Sequence, residues 1–273
     1  MTGAKGRTLH QLVQDRLSKQ GLYNTPDYWN MKAERYSGLA RSNWPSNAYN
    51  ERLHARQMEI VDQLLGEIRG LDVAEVGCGT GRASIHLARR GANVFGFDFS
   101  EKALAVARRD AADARMPVRF EMGNVLDEPH PERRHRFDRV LSLGCLTLAC
   151  TDASEFERAL SNLVALLRPS GRLLFVEPMH ASRLLRRILR MSVAEWTARC
   201  RARGLEVLDQ GGLLFVPARF LLAFRELPGG VVDPLFHAGE RALALSPRLG
   251  FLADYKWLLL AAPHPPGAAN RND

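Results

Sequence analysis

The sequence predicts an α/β fold built on a doubly wound, mostly parallel sheet. Short apolar runs alternate with helix-periodic segments between residues 71 and 177, which is the pattern of parallel strands joined by crossover helices. The first of these runs leads into a loop with glycines at 77, 79 and 81, and a helix follows. The chain of 273 residues is long enough to bury one full core with additions.

The individual elements follow from the spacing of apolar residues. Strands are predicted over 71–75, 93–98, 118–122, 137–143, 172–177, 205–208 and 254–261. Helices are predicted over 49–68, 82–90, 101–109, 154–167, 192–204, 218–225 and 236–245. Ser100 supplies the N-cap oxygen of one helix, and Ser192 forms a capping box with Glu195 at the start of another.

The loop at residues 77–81 is typical of a nucleotide-cofactor site, because glycines let the backbone turn tightly and approach a ligand closely. Its spacing is G-x-G-x-G, whereas a dinucleotide fingerprint is G-x-G-x-x-G. A Walker loop is excluded because Arg82 follows Gly81 where that loop needs a lysine. Glu75, two residues before Gly77, would repel a phosphate. S-adenosylmethionine (SAM) suits the loop, since it has an adenosine, a cationic end and no phosphate.

The run from Glu75 to Gly81 closely resembles the first motif of class I SAM-dependent methyltransferases. Gly96-Phe-Asp-Phe-Ser100 resembles the second motif, and the run 166–175 is typical of the family's architecture. The alternative is a glycine-rich turn that only packs a strand against a helix. The resemblance implies a seven-stranded sheet with an antiparallel last strand behind an N-terminal helical cap. In the family, strands six and seven normally form an antiparallel hairpin, whereas here about 45 residues lie between them.

The expected cofactor residues lie at strand ends and in the cap. In doubly wound folds an acid at the end of the second strand binds the ribose hydroxyls, which assigns that role to Asp98. The family commonly has Asp at the position of Asn124, whose amide oxygen can also accept from the adenine amino group. Tyr36 lies in a segment that resembles the family's lid. The full expected set is Glu75, Gly77, Cys78, Gly79, Gly81, Asp98, Phe99, Asn124, Val125, Leu143 and Tyr36.

Three segments are predicted along the chain. Residues 1–48 form an N-terminal helical and lid segment, and residues 263–273 form a disordered tail. Residues 49–262 form the SAM-binding methyltransferase domain, with an insert at about 212–250. Insertions of this kind carry substrate specificity on a rigid scaffold, so the insert is expected to bear on the methyl acceptor.

The composition limits the partners and the compartment. The net charge is +8, but only five of the basic residues are lysines, and no aromatic residues interleave with basic ones as in a nucleic-acid platform, so no DNA partner is expected. A basic stretch with Arg183, Arg186, Arg187 and Arg190 is either a solvated helix face or a contact with an anionic substrate or a membrane surface. The four cysteines lack metal-ligand spacing, which favours a cytoplasmic protein without a metal site.

The catalytic candidates lie after strands four and five. A protonated oxygen or nitrogen acceptor needs a base near the methyl group. His180 is the first choice, because its ordinary pKa is near neutrality and it follows strand five at the active edge of the sheet. Glu177 could orient it or bind a substrate hydroxyl, and Asp152 is the third candidate. A surface histidine that merely follows a strand is the alternative for His180.

Taken together, these features predict a bacterial SAM-dependent methyltransferase. The cap and the insert favour O-methylation of a small or medium acceptor: a sugar, a lipid-linked glycan or a secondary metabolite. The alternatives are an RNA or protein methyltransferase, which the positive charge favours, a non-catalytic SAM-fold binding protein, and SAM-fold chemistry other than methyl transfer. The identity of the acceptor and the oligomeric state stay open.

Overall fold

The computed structural model describes residues 22–182, 185 and 188–262, and within them seven strands form one sheet. The strands are β1 (Asp72–Val76), β2 (Asn93–Asp98), β3 (Val118–Met122), β4 (Phe137–Leu143), β5 (Leu167–Glu177), β6 (Glu206–Phe215) and β7 (Ala253–Ala261). Their order across the sheet is β3-β2-β1-β4-β5-β7-β6. The predicted tail 263–273 and residues 1–21 lie outside the described residues.

Six strands run in one direction, and β7 runs against them. β1 to β5 pair in parallel, while β7 lies antiparallel between β5 and β6. Val76 of β1 lies opposite Phe97 of β2 and Ser142 of β4, so the carboxyl ends of these strands meet at one edge. The predicted doubly wound sheet with an antiparallel last strand is confirmed.

Helices cover both faces of this sheet. They are α1 (Pro26–Arg35), α2 (Asn47–Leu65), α3 (Arg82–Arg89), α4 (Glu101–Asp113), α5 (Leu146–Ala149), α6 (Ala153–Leu166), α7 (Val193–Ala202), α8 (Val216–Leu222) and α9 (Gly229–Ala244). The apolar residues of α2, α3, α8 and α9 share one core cluster, and those of α6 and α7 share another. The predicted apolar stripe of α2 is buried at every position, namely Leu53, Ile60, Val61, Leu64 and Leu65.

Two predicted strand boundaries were wrong by several residues. β5 begins at Leu167, not at residue 172, because Leu167 already pairs with Phe137 of β4 before a bulge in the register. β6 continues to Phe215, well beyond residue 208, because β7 pairs with it along its whole length. Gly211 makes room for Trp257 in this pairing, since a Cβ there would collide with that indole.

The segment between β6 and β7 therefore comprises residues 216–252. Helix α9 starts at Gly229, seven residues before the prediction, and Pro234 lies inside it. Prolines and glycines in this segment indicate breaks by sequence, but Pro228 supplies the N-cap position and the helix runs on from there. The inner side of α9 buries Val232, Phe236 and Gly239 against the core, which outweighs the low helix propensity of its first residues.

Candidate cofactor and acceptor site

A cleft opens where the strand order reverses between β1 and β4, the place where open α/β sheets bind ligands. It encloses about 950 Å³, including its solvent-open mouth. The lining residues are Tyr23, Trp29, Arg41, Ser42, Asn43, His54, Gln57, Glu75, Gly77, Cys78, Gly79, Arg82, Ala83, Asp98, Phe99, Ala103, Leu143, Gly144, Cys145, Leu148, Ala149 and Tyr255. Seven of the eleven predicted cofactor residues are among them: Glu75, Gly77, Cys78, Gly79, Asp98, Phe99 and Leu143.

Each glycine of the loop is needed for a different physical reason. At Gly77 (φ +67°) a Cβ would lie 2.3 Å from the Cys145 sulfur, so this glycine lets the β1 and β4 loops meet. At Gly79 (φ +54°) the nearest atom to a Cβ would be Ser42 Cβ at 3.8 Å, so this position faces open cleft. Gly81 does not line the cleft, because a Cβ there would meet Phe120 at 2.7 Å. Gly81 thus serves packing between the helix and the sheet.

Asp98 is held rigidly at the end of β2. Its Oδ2 accepts from the Gly79 amide at 2.9 Å, and its Oδ1 accepts from the Ser100 amide at 2.8 Å. Burial raises the pKa of this carboxyl, and the two amide donors oppose that effect. Each carboxylate oxygen has a second lone pair, so Asp98 can still accept hydrogen bonds from two vicinal hydroxyls in the cleft.

Glu75 is a buried carboxyl at the end of β1. It accepts a hydrogen bond from the Ser84 hydroxyl, and it is only 3% exposed. Burial raises its pKa to about 7, and the nearby Arg82 charge acts in the opposite direction. A buried acid that lines a cleft is stabilised in its charged form by a cation. The site therefore fits the cationic end of SAM and not a phosphate.

Arg82 provides the opposite charge in the same cleft. Its guanidinium lies at the start of α3, and burial lowers its pKa to about 10, so it stays charged at neutral pH. The Asn43 amide faces it, and with its oxygen turned toward Arg82 it accepts from Nη1 at 3.2 Å. From the sequence, Arg82 excluded a Walker loop but was not assigned to the cofactor site. Its position directly after the last glycine of the loop was the signal for a binding role.

The N-terminal cap closes the cleft with Tyr23 and Trp29, whereas the predicted Tyr36 lies outside the lining. The Trp29 indole donates to the Tyr23 carbonyl at 2.7 Å. Tyr36 is 38% exposed, and its ring lies 5.7 Å from Lys32 Nζ. The role of Tyr36 at the cofactor stays a prediction. Which aromatic residues of the cap line the cleft depends on how α1 docks.

The cap is hydrogen-bonded to the residues that follow Asp98. Asn30 of α1 accepts from the Ser100 hydroxyl at 2.8 Å and from the Lys102 amide at 3.2 Å. Ser100 itself caps α4 as predicted, with its oxygen accepting from the Ala103 amide at 3.2 Å. These bonds link the position of the cap to the loop that carries Asp98.

Asn124 and Val125, the expected adenine contacts, lie outside the cleft lining. The Asn124 oxygen accepts from the Leu126 amide at 3.0 Å, which makes a local turn. Val125 is buried in the core, and its carbonyl accepts from Asn162 at 2.9 Å. The adenine role of both residues stays a prediction.

The three catalytic candidates also lie outside the lining. His180 is 7% exposed. Its Nε2 donates to the Asp254 carbonyl at 2.9 Å, and its Nδ1 lies 3.1 Å from Lys256 Nζ. Asp152 is the exposed N-cap of α6 and accepts from the Ser154 amide at 2.8 Å. Glu177 is fully buried under the loop after β4. Their catalytic roles stay predictions, and each has a hydrogen-bonding role of its own.

His54 and Gln57 were not predicted, although both line the cleft from α2. The Nδ1 atom of His54 is buried and has no hydrogen-bond partner among the described residues. Burial, followed by the charge of Arg82, lowers the pKa of this imidazole to about 3, so the ring is neutral at physiological pH. Tyr255 of β7 lines the same cleft, and a Cβ on Gly144 would lie 3.4 Å from its hydroxyl.

Several expectations concern features away from the cleft. Arg183, Arg186 and Arg187 lie outside the described residues, and Arg190 is exposed. Within the described part of the chain, no group of His, Cys, Asp and Glu side chains is arranged to hold a metal ion. No helix among the described residues has both the length and the apolar character that crossing a bilayer requires.

Comparisons with known proteins agree with this geometry. A family model described as a methyltransferase domain matches residues 73–171. A ubiquinone biosynthesis O-methyltransferase of Bordetella avium is 30% identical over 145 residues, which are 52% of this chain and 58% of that relative. The chain thus matches little more than half of the length of that relative.

Solved structures share the fold at low identity. The cyclase SpnF superposes with a TM-score of 0.59 at 21% identity, over 94% of this chain and 97% of that one. The magnesium protoporphyrin IX methyltransferase of Synechocystis PCC 6803, with bound S-adenosylhomocysteine, superposes with a TM-score of 0.58 at 17% identity, over 89% and 97%. The methyltransferase domain at residues 73–171, the sheet order and the glycine-loop cleft together support the class I SAM-dependent methyltransferase family, with SAM as the cofactor.

Proposed function

We propose that this chain is a methyltransferase that transfers a methyl group from SAM to a hydroxyl oxygen of a small acceptor. The observation that carries the proposal is the set of charges around the glycine loop: the carboxyl of Glu75, the guanidinium of Arg82 and the carboxyl of Asp98. The amino-acid end of SAM has an ammonium and a carboxylate, and its ribose has two hydroxyls. The cleft offers a complementary group to each of them.

In this proposal Glu75 binds the ammonium, Arg82 binds the carboxylate and Asp98 binds the ribose hydroxyls. Tyr23 and Trp29 of the cap exclude water from the cleft. When bound, SAM supplies a methyl group activated by its positively charged sulfur. The protein contributes alignment, and it holds a proton acceptor for the nucleophile.

His54 is the residue we propose as that proton acceptor. Its Nδ1 lone pair is buried in the cleft lining without a partner among the described residues, so an acceptor hydroxyl can donate to it. The low pKa makes the free imidazole a weak base. Its main role is therefore to orient the hydroxyl lone pair, and it takes the proton only as the new carbon–oxygen bond forms.

The lining favours one acceptor class among those considered. Trp29, Leu148 and Ala149 give one part of the cleft an apolar surface. We therefore favour a secondary metabolite with an apolar or aromatic body, because this part of the cleft can pack against it. The name of the Bordetella avium relative, an O-methyltransferase, supports oxygen as the methylated atom.

The activity is tested with the full chain, SAM and a panel of phenols and aliphatic alcohols. The expected result is S-adenosylhomocysteine together with a product heavier by one methylene unit. SAM binding without turnover on any acceptor would favour a non-catalytic binding protein. A product without an added methyl group would indicate other SAM-fold chemistry. Turnover on RNA or protein that falls steeply with salt would favour a macromolecular acceptor.

The proton acceptor is tested by comparing His54→Ala with His180→Ala. We expect His54→Ala to lower kcat by about 100-fold while the Kd for SAM stays the same. His180→Ala should lower the melting temperature, because it leaves the Lys256 ammonium without its imidazole partner, and the folded fraction should keep its kcat. The reverse pattern would return the catalytic role to His180.

A further inference from the structure

Helix α9 is apolar on two faces, and only one of them is covered. Its inner face buries Val232, Phe236 and Gly239 in the core. On the outer face Val231 and Leu235 are each 44% exposed, and Leu245 is 83% exposed. The apolar stripe of this helix is therefore wider than the part that the core covers, and Val231, Leu235 and Leu245 remain at the surface.

Neighbouring elements extend this surface. Phe220, Leu221 and Phe224 of α8 and its C-terminal end are 39%, 66% and 41% exposed, and Phe251 is 68% exposed. The rings of Phe220 and Phe224 stack at 6.4 Å. Because α8 and the 3₁₀ turn at Pro247–Leu252 both pack against α9, these side chains belong to one region.

We name this region the insert face. It consists of Phe220, Leu221, Phe224, Val231, Leu235, Leu245 and Phe251. These are seven of the twelve exposed large apolar side chains in the described chain, although the segment 216–252 is a small part of it. Such a concentration marks an interaction site and not the ordinary scatter of surface apolar residues.

The charges of the segment differ in whether they have a partner. Its carboxylates have partners on α2: Asp233 pairs with Arg52 at 2.6 Å, and Glu240 pairs with Arg56 at 2.9 Å. Glu226 accepts from the Asn47 amide at 2.7 Å.

Arg225 and Arg241 of the segment are exposed. No ion pair of either residue is found within the described part of the chain. The exposed surface of the segment therefore combines apolar side chains with uncompensated positive charge.

We propose that the insert face binds the surface of an anionic lipid membrane. Exposed Phe and Leu side chains that enter the headgroup region, flanked by arginines that meet lipid phosphates, are the features of an interfacial helix. A second copy of the chain fits less well, because a two-fold contact would bring Arg225 and Arg241 toward their own images without a carboxylate between them.

The test is flotation of the full chain with vesicles of phosphatidylcholine alone, or of phosphatidylcholine with one quarter phosphatidylglycerol. We expect binding to the anionic vesicles that weakens with salt, and much weaker binding to neutral ones. The double variant Leu221→Asp/Leu235→Asp should bind at least tenfold less. Arg225→Glu/Arg241→Glu should also lose at least tenfold, on the anionic vesicles only.

The matched control is Leu208→Asp, which changes a leucine of β6 that is 43% exposed outside the insert face. It should bind vesicles like the wild type, and thermal melts should show every variant folded. Absence of wild-type binding to anionic vesicles would overturn the proposal, as would an equal loss in the control. A dimer in sedimentation that Leu221→Asp/Leu235→Asp dissociates, without vesicle binding, would assign the face to a second copy.

Discussion

The ends of β1 and β5 carry two carboxyls that look alike in the sequence and differ in what surrounds them. Glu75 and Glu177 each end an apolar strand, each is nearly inaccessible, and burial raises the pKa of both. Glu177 accepts from the Ser142 hydroxyl at 2.8 Å and from the Cys145 and Leu146 amides at 2.8 and 3.1 Å. Glu75 has the Ser84 hydroxyl as its side-chain donor and lines the cleft.

The hydrogen-bond partners distinguish a carboxyl that stabilises the fold from one that can bind a ligand. Glu177 is saturated by the loop that begins α5, including the Thr147 hydroxyl at 3.1 Å, so it holds the wall of the cleft in place. Glu75 keeps acceptor capacity directed to the cleft. A strand-end acid thus becomes a candidate ligand-binding residue when the fold leaves its lone pairs unsatisfied.

Removing the saturated acid should have the largest effect on folding. Glu177→Ala leaves the amides of Cys145 and Leu146 and the Ser142 hydroxyl buried without their acceptor, each at a cost of about 1–3 kcal/mol. We expect the free energy of unfolding to fall by roughly 3–5 kcal/mol, measured by urea denaturation. Glu177→Gln, which keeps one oxygen, should lose less. A loss no larger than that of Glu75→Gln would erase the contrast between the two acids.

Substitutions in the cleft should lower the affinity for SAM more than the stability of the fold. We expect Asp98→Ala and Gly79→Val each to abolish SAM binding, measured by calorimetry, while the chain stays folded. Asp98→Ala removes the ribose acceptor. A Cβ at position 79 would face open cleft, so a valine there fills ligand space and adds about 1–2 kcal/mol of left-handed backbone strain. Unchanged affinity in both variants would contradict the site assignment.

The smallest effect, and the most diagnostic, is the pH dependence of SAM affinity. The pKa of Glu75 is about 7 without a ligand, and an ammonium binds only its ionised form. Affinity should therefore fall as the pH drops below 7, by roughly tenfold or more between pH 7 and pH 5. Calorimetry at both values should show this slope, and Glu75→Gln should be weaker and flat over the same range. A wild-type affinity that is equal at pH 5 and pH 7 would exclude Glu75 as the ammonium ligand.

The sequence by itself determined the fold class, the glycine loop, the position of Asp98 at the end of β2 and the apolar stripe of α2. Each of these follows from a local signal: strand and helix periods, glycine spacing, or an acid at a strand end. It also placed an insert between β6 and β7, although it misjudged the start of β5 and the length of β6.

Only the tertiary structure decided which side chains share the cleft. His54, Gln57, Trp29 and Tyr255 come from α2, α1 and β7, whose inward faces depend on how these elements pack around the sheet. Packing likewise directed Glu177 into a closed hydrogen-bond network and left Glu75 facing the cleft. The spacing of apolar residues shows which face of a helix or strand is buried. Which element packs against that face depends on the fold of the whole chain.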